Sequence, residues 1–466
     1  MLSVGRHWPL ILVCALVGIF ATCYAAVTPY RQGGVLLGAR NADGSPLRVP
    51  DIGAPDERQH ANYIAHLLEG KGFPVLDPKD PNLGENYQSH QPPLYYILAA
   101  GWARLSGADP RDPDTGGRIR WLGVLFGIAT VVGTAAAASI AFGRPSLGWR
   151  PSLGWTAGAW VGLLPMFLAL NGAVSNDPLL FALSAWFLAI AALGIQRGWT
   201  LARAAMLGLV TGLALLTKTS ALALFLAIPL ATWPAVADTE GKKDLKPLLV
   251  AFGLALVLVL PWWLRNQNLY GDVLGLRAFN AAFVGSPKAE MFIQGLGAKA
   301  YWLDMVGWWT LRSFFGAFGY MDHFLPDVLY RVAAALVLAV AVAGIGFRRR
   351  DEATSEEAQR RFLLVGGFVI LVVALQFLNF NAQYFQGQAR YLFPALPPIA
   401  ILLALGIDRL FGGRSWSWAV PAVLLTVLNL YVLLWLPGSF SRSQLRGNPP
   451  EAKLLNEMRV AVHPDL

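Results

Sequence analysis

Charge is scarce in this chain. Asp, Glu, Lys and Arg make up 14% of its 466 residues, against roughly 25% in average soluble chains. So few charged groups cannot clothe a water-facing surface, although the length alone would suggest about three soluble domains. Cysteine is nearly absent as well. Cys14 and Cys23 both lie in the first apolar run, about 13 Å apart along one helix axis, which is too far to bridge. There is therefore no disulfide framework, and no zinc motif either. A glycine-rich nucleotide loop, a three-residue glycine period and a solenoid repeat are also missing. What is abundant is apolar sequence, at 55% of residues with a mean hydropathy of +0.48. That excludes disorder and collagen-like structure and leaves a multi-span membrane protein.

The net charge of +9 does not form a nucleic-acid stripe. Much of it sits in short clusters between apolar runs, the way membrane topology is written. The first run covers residues 8–28 behind Arg6; its small residues Ala21 to Ala26 also fit a signal peptide, but the run is long for one, and an uncleaved span is the reading taken. Further spans are expected at 119–142, 155–173, 178–196, 203–217, 219–235, 247–264, 327–347, 362–379, 391–408 and 416–436. The fold class is thus an all-α polytopic membrane protein of about eleven transmembrane helices. The run Leu94 to Ala103, behind Pro92 and Pro93, is too short to cross and reads as an interfacial helix. If it stays on one side, Arg144, Arg150, Arg197, Arg203, Lys242, Lys243, Lys246, Arg348 to Arg350, Arg360, Arg361, Arg409 and Arg414 all share the side of Arg6, the positive-inside pattern. One transmembrane unit then covers 1–436, with a large first outer loop (29–118), a second (265–326) and an outer tail (437–466). The tandem RPSLGWRPSLGW, Arg144 to Trp155, falls in an inner loop and reads as a local duplication.

Several ionisable residues fall at the outer boundary. Asp56 and Glu57 open an amphipathic helix whose apolar face is Ala61, Ile64, Ala65, Leu67 and Leu68, expected to lie on the membrane surface. Acids at a helix start also serve as caps. Asp177 precedes Pro178 in SNDPLLF, where capping alone would account for it. His90 lies at the boundary in SHQPPLYY, as a surface residue or a ligand. Lys218 interrupts the apolar stretch Ala204 to Leu230, where an ionisable group costs a few kcal/mol unless it reaches water or a partner. Arg265 follows Trp262 and Trp263, and Arg390 opens the tenth span. Three cations, Lys218, Arg265 and Arg390, are thus expected on one face, opposite Asp56, Glu57 and Asp177. Such a face can grip a lipid-borne phosphate, stabilise the charge that grows on it as a sugar leaves, and offer a carboxylate base.

The order of DE plus helix, HQPPLYY, NDPLLF, LTKTSAL, RNQNLYGD and ARYLFPALPP resembles the GT-C superfamily of polytopic glycosyltransferases over about residues 8 to 410. The nearest members are bacterial relatives of the dolichyl-phosphate-mannose protein mannosyltransferases and the lipid A aminoarabinose transferase. The resemblance implies that Asp56 is the catalytic base, with Glu57 and Asp177 as further acids that orient acceptor or sugar. It implies that Lys218, Arg265 and Arg390 hold the donor phosphate. His90 falls where some members carry a metal-linked acid, and Gln91 stands where a lysine is often found. His60 departs from a more usual tyrosine context, and FGYMDHFLP (Phe318 to Pro326) fits an uncharacterised bacterial branch better. His60 and His90 are accordingly candidates for acceptor or metal contacts, and a divalent metal stays an open option with no certain cofactor.

The reading is an inverting glycosyltransferase of the cell inner membrane. It moves a sugar from a polyprenyl-phosphate donor to a lipid, glycan or protein hydroxyl outside the cytoplasm, with the N-terminus inside and no nucleic-acid partner. A lipid-linked glycan flippase or a non-catalytic envelope-assembly subunit is the alternative; a transporter would show internal repeats or paired broken helices, and none is read here. Reporters fused near Gly84 and Arg350 should signal outside and inside respectively; the same side for both would break the topology.

Overall fold

The computed structural model describes residues 4–143, 151–236, 244–346 and 353–444. The first copy of the tandem repeat, Lys242, Lys243, Arg348 to Arg350 and the tail beyond residue 444 lie outside the described residues. Helix α1 (Val4–Val27) leads into an antiparallel ribbon, β1 (Gly34–Arg40) with β2 (Pro46–Val49), then α2 (Glu57–Leu68), the single turn α3 (Leu83–Asn86) and α4 (Leu94–Ser106). Next come α5 (Arg120–Ala141), α6 (Pro151–Gly162), α7 (Pro165–Asn171), α8 (Asp177–Arg197), α9 (Leu201–Leu215), α10 (Leu222–Val236) and α11 (Lys246–Tyr270). A second non-spanning segment holds α12 (Leu276–Ala282), α13 (Ala289–Leu296), a π-helical stretch (Ala300–Gly307), α14 (Trp308–Phe315) and the ribbon β3 (Ala317–Phe318) with β4 (His323–Phe324). The chain closes with α15 (Asp327–Gly346), α16 (Ala353–Asn381), α17 (Leu396–Leu410) and α18 (Ala419–Ser443).

All eleven expected segments are helical, yet they are not eleven uniform spans. Among the described residues eight helices are long and apolar enough to cross a membrane. The segment expected as one span at 155–173 is two helices bent by 69°. Pro165 has no N–H to give and holds Leu164 extended. The break is stitched by a buried chain: Asn429 of α18 donates to the Leu163 carbonyl at 2.8 Å, and Tyr24 of α1 donates to Asn429 Oδ1 at 2.8 Å. The segments expected at 203–217 and 219–235 are also shorter than a span. Their helices α9 and α10 have 15 residues each, about 22 Å against the roughly 30 Å of a hydrocarbon core. Lys218 sits extended between them, at φ −159°.

The spans differ in depth. The α8 window is 78% buried inside the protein and that of α15 only 11%, so α8 is the axis and α15 lies at the periphery. Small residues let the central helices approach: a Cβ on Gly208 of α9 would collide with the Ala251 backbone of α11. One apolar core joins Phe187, Leu207, Ala255 and Val365, and another joins Val17, Phe167, Phe393 and Leu425.

At one end of the bundle the segment ends expected outside gather on a common face. There Arg120 at the start of α5 donates to the Ala25 carbonyl in the last turn of α1 and to the Thr28 and Pro29 carbonyls after it, Asn176 before α8 donates to the Thr217 carbonyl after α9, and Leu94 at the start of α4 donates to the Leu216 carbonyl. Helix α4 has 13 residues and rests on this face, as expected of an interfacial helix. Helix α2 does not lie on the bilayer as its pattern suggested. Its apolar side, with Ala61, Tyr63 and Ile64, is buried against Tyr95, Tyr96 and Ala99 of α4, and its polar first turn is buried too. The two small ribbons were not foreseen by the all-α reading.

Replacing Asn429 by Leu should leave the Leu163 carbonyl and the Tyr24 hydroxyl without their buried partner. A loss of about 1–3 kcal/mol of stability is expected, read as a lowered melting temperature of the purified protein.

Candidate active site

Asp56 occupies the position before α2, and its side chain caps nothing. Its backbone is left-handed, at φ +61°, a region that non-glycine residues enter only at a cost and that recurs at functional sites. This twist turns the carboxylate away from the helix it precedes. Tyr87 donates to Oδ1 at 2.5 Å, and the Arg390 guanidinium meets Oδ2 at 2.5 Å. The carboxylate is nevertheless 18% exposed, so it remains reachable. Burial pushes its pKa up, but Arg390, the Tyr87 hydroxyl and nearby His60 outweigh burial and hold it at about 2. Asp56 is ionised at neutral pH.

A second pair stands close by. Asp177, the first residue of α8, receives Lys218 at 2.6 Å. Capping at this turn falls to Ser175, whose hydroxyl accepts from the Asp177 N–H. Lys218 lies 5.8 Å from the Tyr391 ring and Arg390 5.1 Å from the same ring. Tyr391 thus separates the two ion pairs. One oxygen of Asp177 and Nε of Arg390 have no protein partner.

The histidines are neutral spacers. His60 is buried, shares a hydrogen bond with Tyr96 at 2.8 Å, and burial lowers its pKa to about 3. His90 Nδ1 bonds the Tyr87 carbonyl at 2.9 Å, so that nitrogen carries the proton; its Nε2 then accepts from Gln91 at 3.2 Å. Burial lowers its pKa to about 4. Gln91 in turn accepts from Asn176. Phe279 of α12 packs on His90 and Phe283 on Tyr87, so the second loop roofs the site.

Two expectations need correction. Glu57 does not face a substrate. It is 1% exposed, accepts two bonds from Arg120 at 2.8 and 2.6 Å and a third from the Val174 N–H. It ties α2 to α5 and to the turn before α8. The three cations also do not stand opposite three acids: Arg390 and Lys218 are each paired with an acid, and Arg265 is elsewhere. Arg265 donates to the Phe73 and Pro74 carbonyls and stacks on Trp262. Its neighbours Trp262 and Asn266 share a narrow cleft with Thr219, beside Lys218, so it flanks the Lys218 side. Like charges at one depth repel unless neutralised, and interleaved pairs relieve that.

Among the described residues no three His, Cys, Asp or Glu side chains come together as donors, and both Asp56 oxygens are already engaged. Sequence reasoning also missed residues. Arg120 could have been flagged as a cation at the start of a span, but nothing in the local pattern marks Tyr87 or Tyr391.

The Asp56 carboxyl sits below its ordinary value of 3.8 when folded, so its ion pair stabilises the fold fully above about pH 4 and that contribution is lost as pH falls through about 2. The melting-temperature difference between parent and Asp56→Asn should be flat from neutrality to about pH 5 and shrink below pH 4. A difference independent of pH would contradict the pairing.

No family model matches the chain, and no curated protein matches it in sequence. Solved structures do. It is similar to ArnT from Cupriavidus metallidurans in the apo state, with TM-score 0.52 and 14% identity over 99% of this chain and 76% of that one. It is also similar to the Archaeoglobus fulgidus oligosaccharyltransferase tethered with an acceptor peptide (TM-score 0.47, 14% identity, 96% of this chain and 56% of that one). The same archaeal enzyme, AglB, in complex with an inhibitory peptide and a dolichol-phosphate gives TM-score 0.45 at 15% identity over 96% and 57%. The chain spans little more than half the length of that oligosaccharyltransferase. The chain has the polytopic fold of ArnT, with eight helices among the described residues long and apolar enough to cross a membrane, and the resemblance read from its motifs holds at the level of fold.

Proposed function

We propose that the chain is an inverting glycosyltransferase that takes a sugar from a polyprenyl-phosphate donor and delivers it to an acceptor hydroxyl. The observation that carries this reading is Asp56: a strained, ionised and reachable carboxylate held against a cation at the mouth of an apolar bundle. In the proposed orientation the N-terminus is cytoplasmic and the site faces outward across the inner membrane.

In the resting chain Arg390 holds the carboxyl near 2, which makes it a weak base. A donor phosphate entering beside Tyr391 competes for Arg390 and Lys218, both of which prefer a phosphate as readily as a carboxylate. As Arg390 moves onto the phosphate, the Asp56 carboxyl loses its main charge partner and its pKa rises toward a working value. The acceptor oxygen then attacks the sugar's anomeric carbon, the carbon–phosphate oxygen bond breaks, and the acceptor proton passes to Asp56. The negative charge leaves on the polyprenyl phosphate, where Arg390 and Lys218 stabilise it. Asp177 keeps Lys218 in place, while Arg265, engaged by the Phe73 and Pro74 carbonyls, stays to one side of the phosphate. A single displacement inverts the anomeric configuration. Lipid, glycan and protein hydroxyls are all acceptors that this chemistry admits.

Purified protein offered a panel of radiolabelled polyprenyl-phosphate sugars, beside Asp56→Asn, tests the reading. Transfer by the parent and a loss of about 10² to 10⁴ in the variant are expected. Undiminished transfer by the variant removes Asp56 from its role, and no transfer from any donor favours a transporter or a scaffold.

A further inference from the structure

The narrow cleft beside Lys218 carries polar atoms for which the proposed reaction gives no role. It is walled by Pro92 ahead of α4, Thr219 and Leu222 at the break between α9 and α10, Trp262 and Asn266 near the end of α11, and Val273 beyond it. These walls are held in place. Asp272 accepts from the Leu274, Leu276 and Arg277 N–H groups and fixes the turn that carries Val273. Asn266 Nδ2 donates to the Val273 carbonyl at 3.1 Å. The Arg265 guanidinium lies 4.5 Å from the Trp262 ring, and Phe73 meets that ring edge-on. Across the cleft, the Leu94 N–H bonds the Leu216 carbonyl and Asn176 bonds that of Thr217, which ties the Pro92 side to the Lys218 turn.

Two polar groups in this rigid frame are left over. Asn266 is 2% exposed and Trp262 5%, yet Asn266 Oδ1 and Trp262 Nε1 have no hydrogen-bond partner among the described residues. Buried groups of this kind are costly to leave unpaired. The two residues stand four apart on α11, so they share one face of the helix. The indole N–H only donates and the amide oxygen only accepts. A single hydroxyl satisfies both, because its oxygen accepts from the indole while its proton goes to the amide. A hydrocarbon chain satisfies neither, and a phosphate or carboxylate oxygen would meet the amide oxygen with a lone pair. The free space is about 10 Å³, close to the least that holds one water-sized group. A sugar ring does not fit there, so a sugar hydroxyl must enter on a side arm.

We infer that Trp262 and Asn266 are specificity-determining residues that read the exocyclic hydroxymethyl group of a hexose donor. The inference names the sugar class of the proposed transfer and rests on that reading. Thr219 follows Lys218 directly, and Pro92 follows Gln91, whose side chain accepts from Asn176 ahead of Asp177. The cleft therefore adjoins the Lys218–Asp177 pair, where the donor phosphate is placed. A hexose anchored there turns its hydroxymethyl arm into the cleft and pairs both orphaned groups. A pentose has no such arm, and a 6-deoxyhexose brings a methyl group that leaves both unpaired. Sites built to hydrogen-bond a hydroxyl reject the analogue that lacks it. A resident water is the same chemistry from another source, and it would give no choice among sugars.

The test measures binding by calorimetry on the purified protein, with transfer followed in parallel. The probes are polyprenyl-phosphate hexoses of the gluco, manno and galacto series, each beside its 6-deoxy analogue. In at least one series the parent should bind the hexose about 10- to 100-fold more tightly than the analogue. Trp262→Phe keeps the ring and removes the N–H. It should weaken the hexose alone and bring the pair to within about threefold. Asn266→Ala, which removes the acceptor together with the Val273 bond, should collapse the same preference. If Trp262→Phe does not fold, the parent's preference and Asn266→Ala decide the matter. Equal affinity for hexose and 6-deoxyhexose in every series overturns the inference and leaves the cleft to water. So does a preference that survives both substitutions. A preference without transfer upholds the cleft and removes the enzymatic reading, whereas transfer without a preference does the reverse.

Discussion

An ion pair between Asp56, in the first loop, and Arg390, in the 3₁₀ stretch Ala389–Ala395 that leads into the penultimate helix, closes the chain on itself across 334 residues. The arrangement of the site depends on it. To form this pair, α2 must be pinned so that Asp56 emerges left-handed, and the 3₁₀ turn before α17 must present Arg390 at the same depth. Glu57 and Arg120 do the pinning, since their paired hydrogen bonds fasten the start of α2 to α5 and to the turn before α8. Removing either partner would strand a buried charge, which costs far more than the pair itself contributes. Adjacent acids thus divide the labour: Glu57 holds the frame while Asp56 faces the open side.

The pairing also sets the electrostatic state of the site. Two acids and two cations, separated by the Tyr391 ring, leave the resting cluster neutral and compact. In the proposed reaction an arriving phosphate finds both cations already aimed but occupied by carboxylates. In the same proposal, binding energy from the lipid carrier goes into exchanging Asp56 for phosphate at Arg390, so that the proposed base becomes effective only when a leaving group is in place. With the Asp56 carboxyl held at about 2, a site without its proposed donor has little tendency to activate water or a stray hydroxyl.

Much of the fold was legible in the sequence because long apolar runs and flanking cations answer to one solvent, the bilayer. The eleven helical segments, the short α4 and the gathering of Asp56, Asp177, Lys218 and Arg390 at one end all follow from hydropathy and sidedness. What could not be read depends on contacts distant in sequence. The bend after Gly162 is tolerated because Asn429, far along the chain, satisfies Leu163. Glu57 looked like Asp56 in the string, and only three-dimensional packing separates a sealed acid from a reachable one. Tyr87 lies in a short 3₁₀ turn with no periodic pattern, and the ribbons β1–β2 and β3–β4 are too short to outweigh the helical signal around them. Arg265 sat at the right depth, yet depth does not fix azimuth around the bundle, and Trp262 and the Phe73–Pro74 carbonyls hold it to one side.

The central claim is the exchange of partners at Arg390. An experimental structure of the protein with a polyprenyl-phosphate sugar bound tests it most directly. The account predicts phosphate oxygens within hydrogen-bond reach of Arg390 and Lys218, the Asp56–Arg390 contact opened, and the Asp56 carboxylate facing the anomeric carbon from the side opposite the phosphate. A phosphate seated away from Arg390, with the Asp56 pair intact, would contradict it.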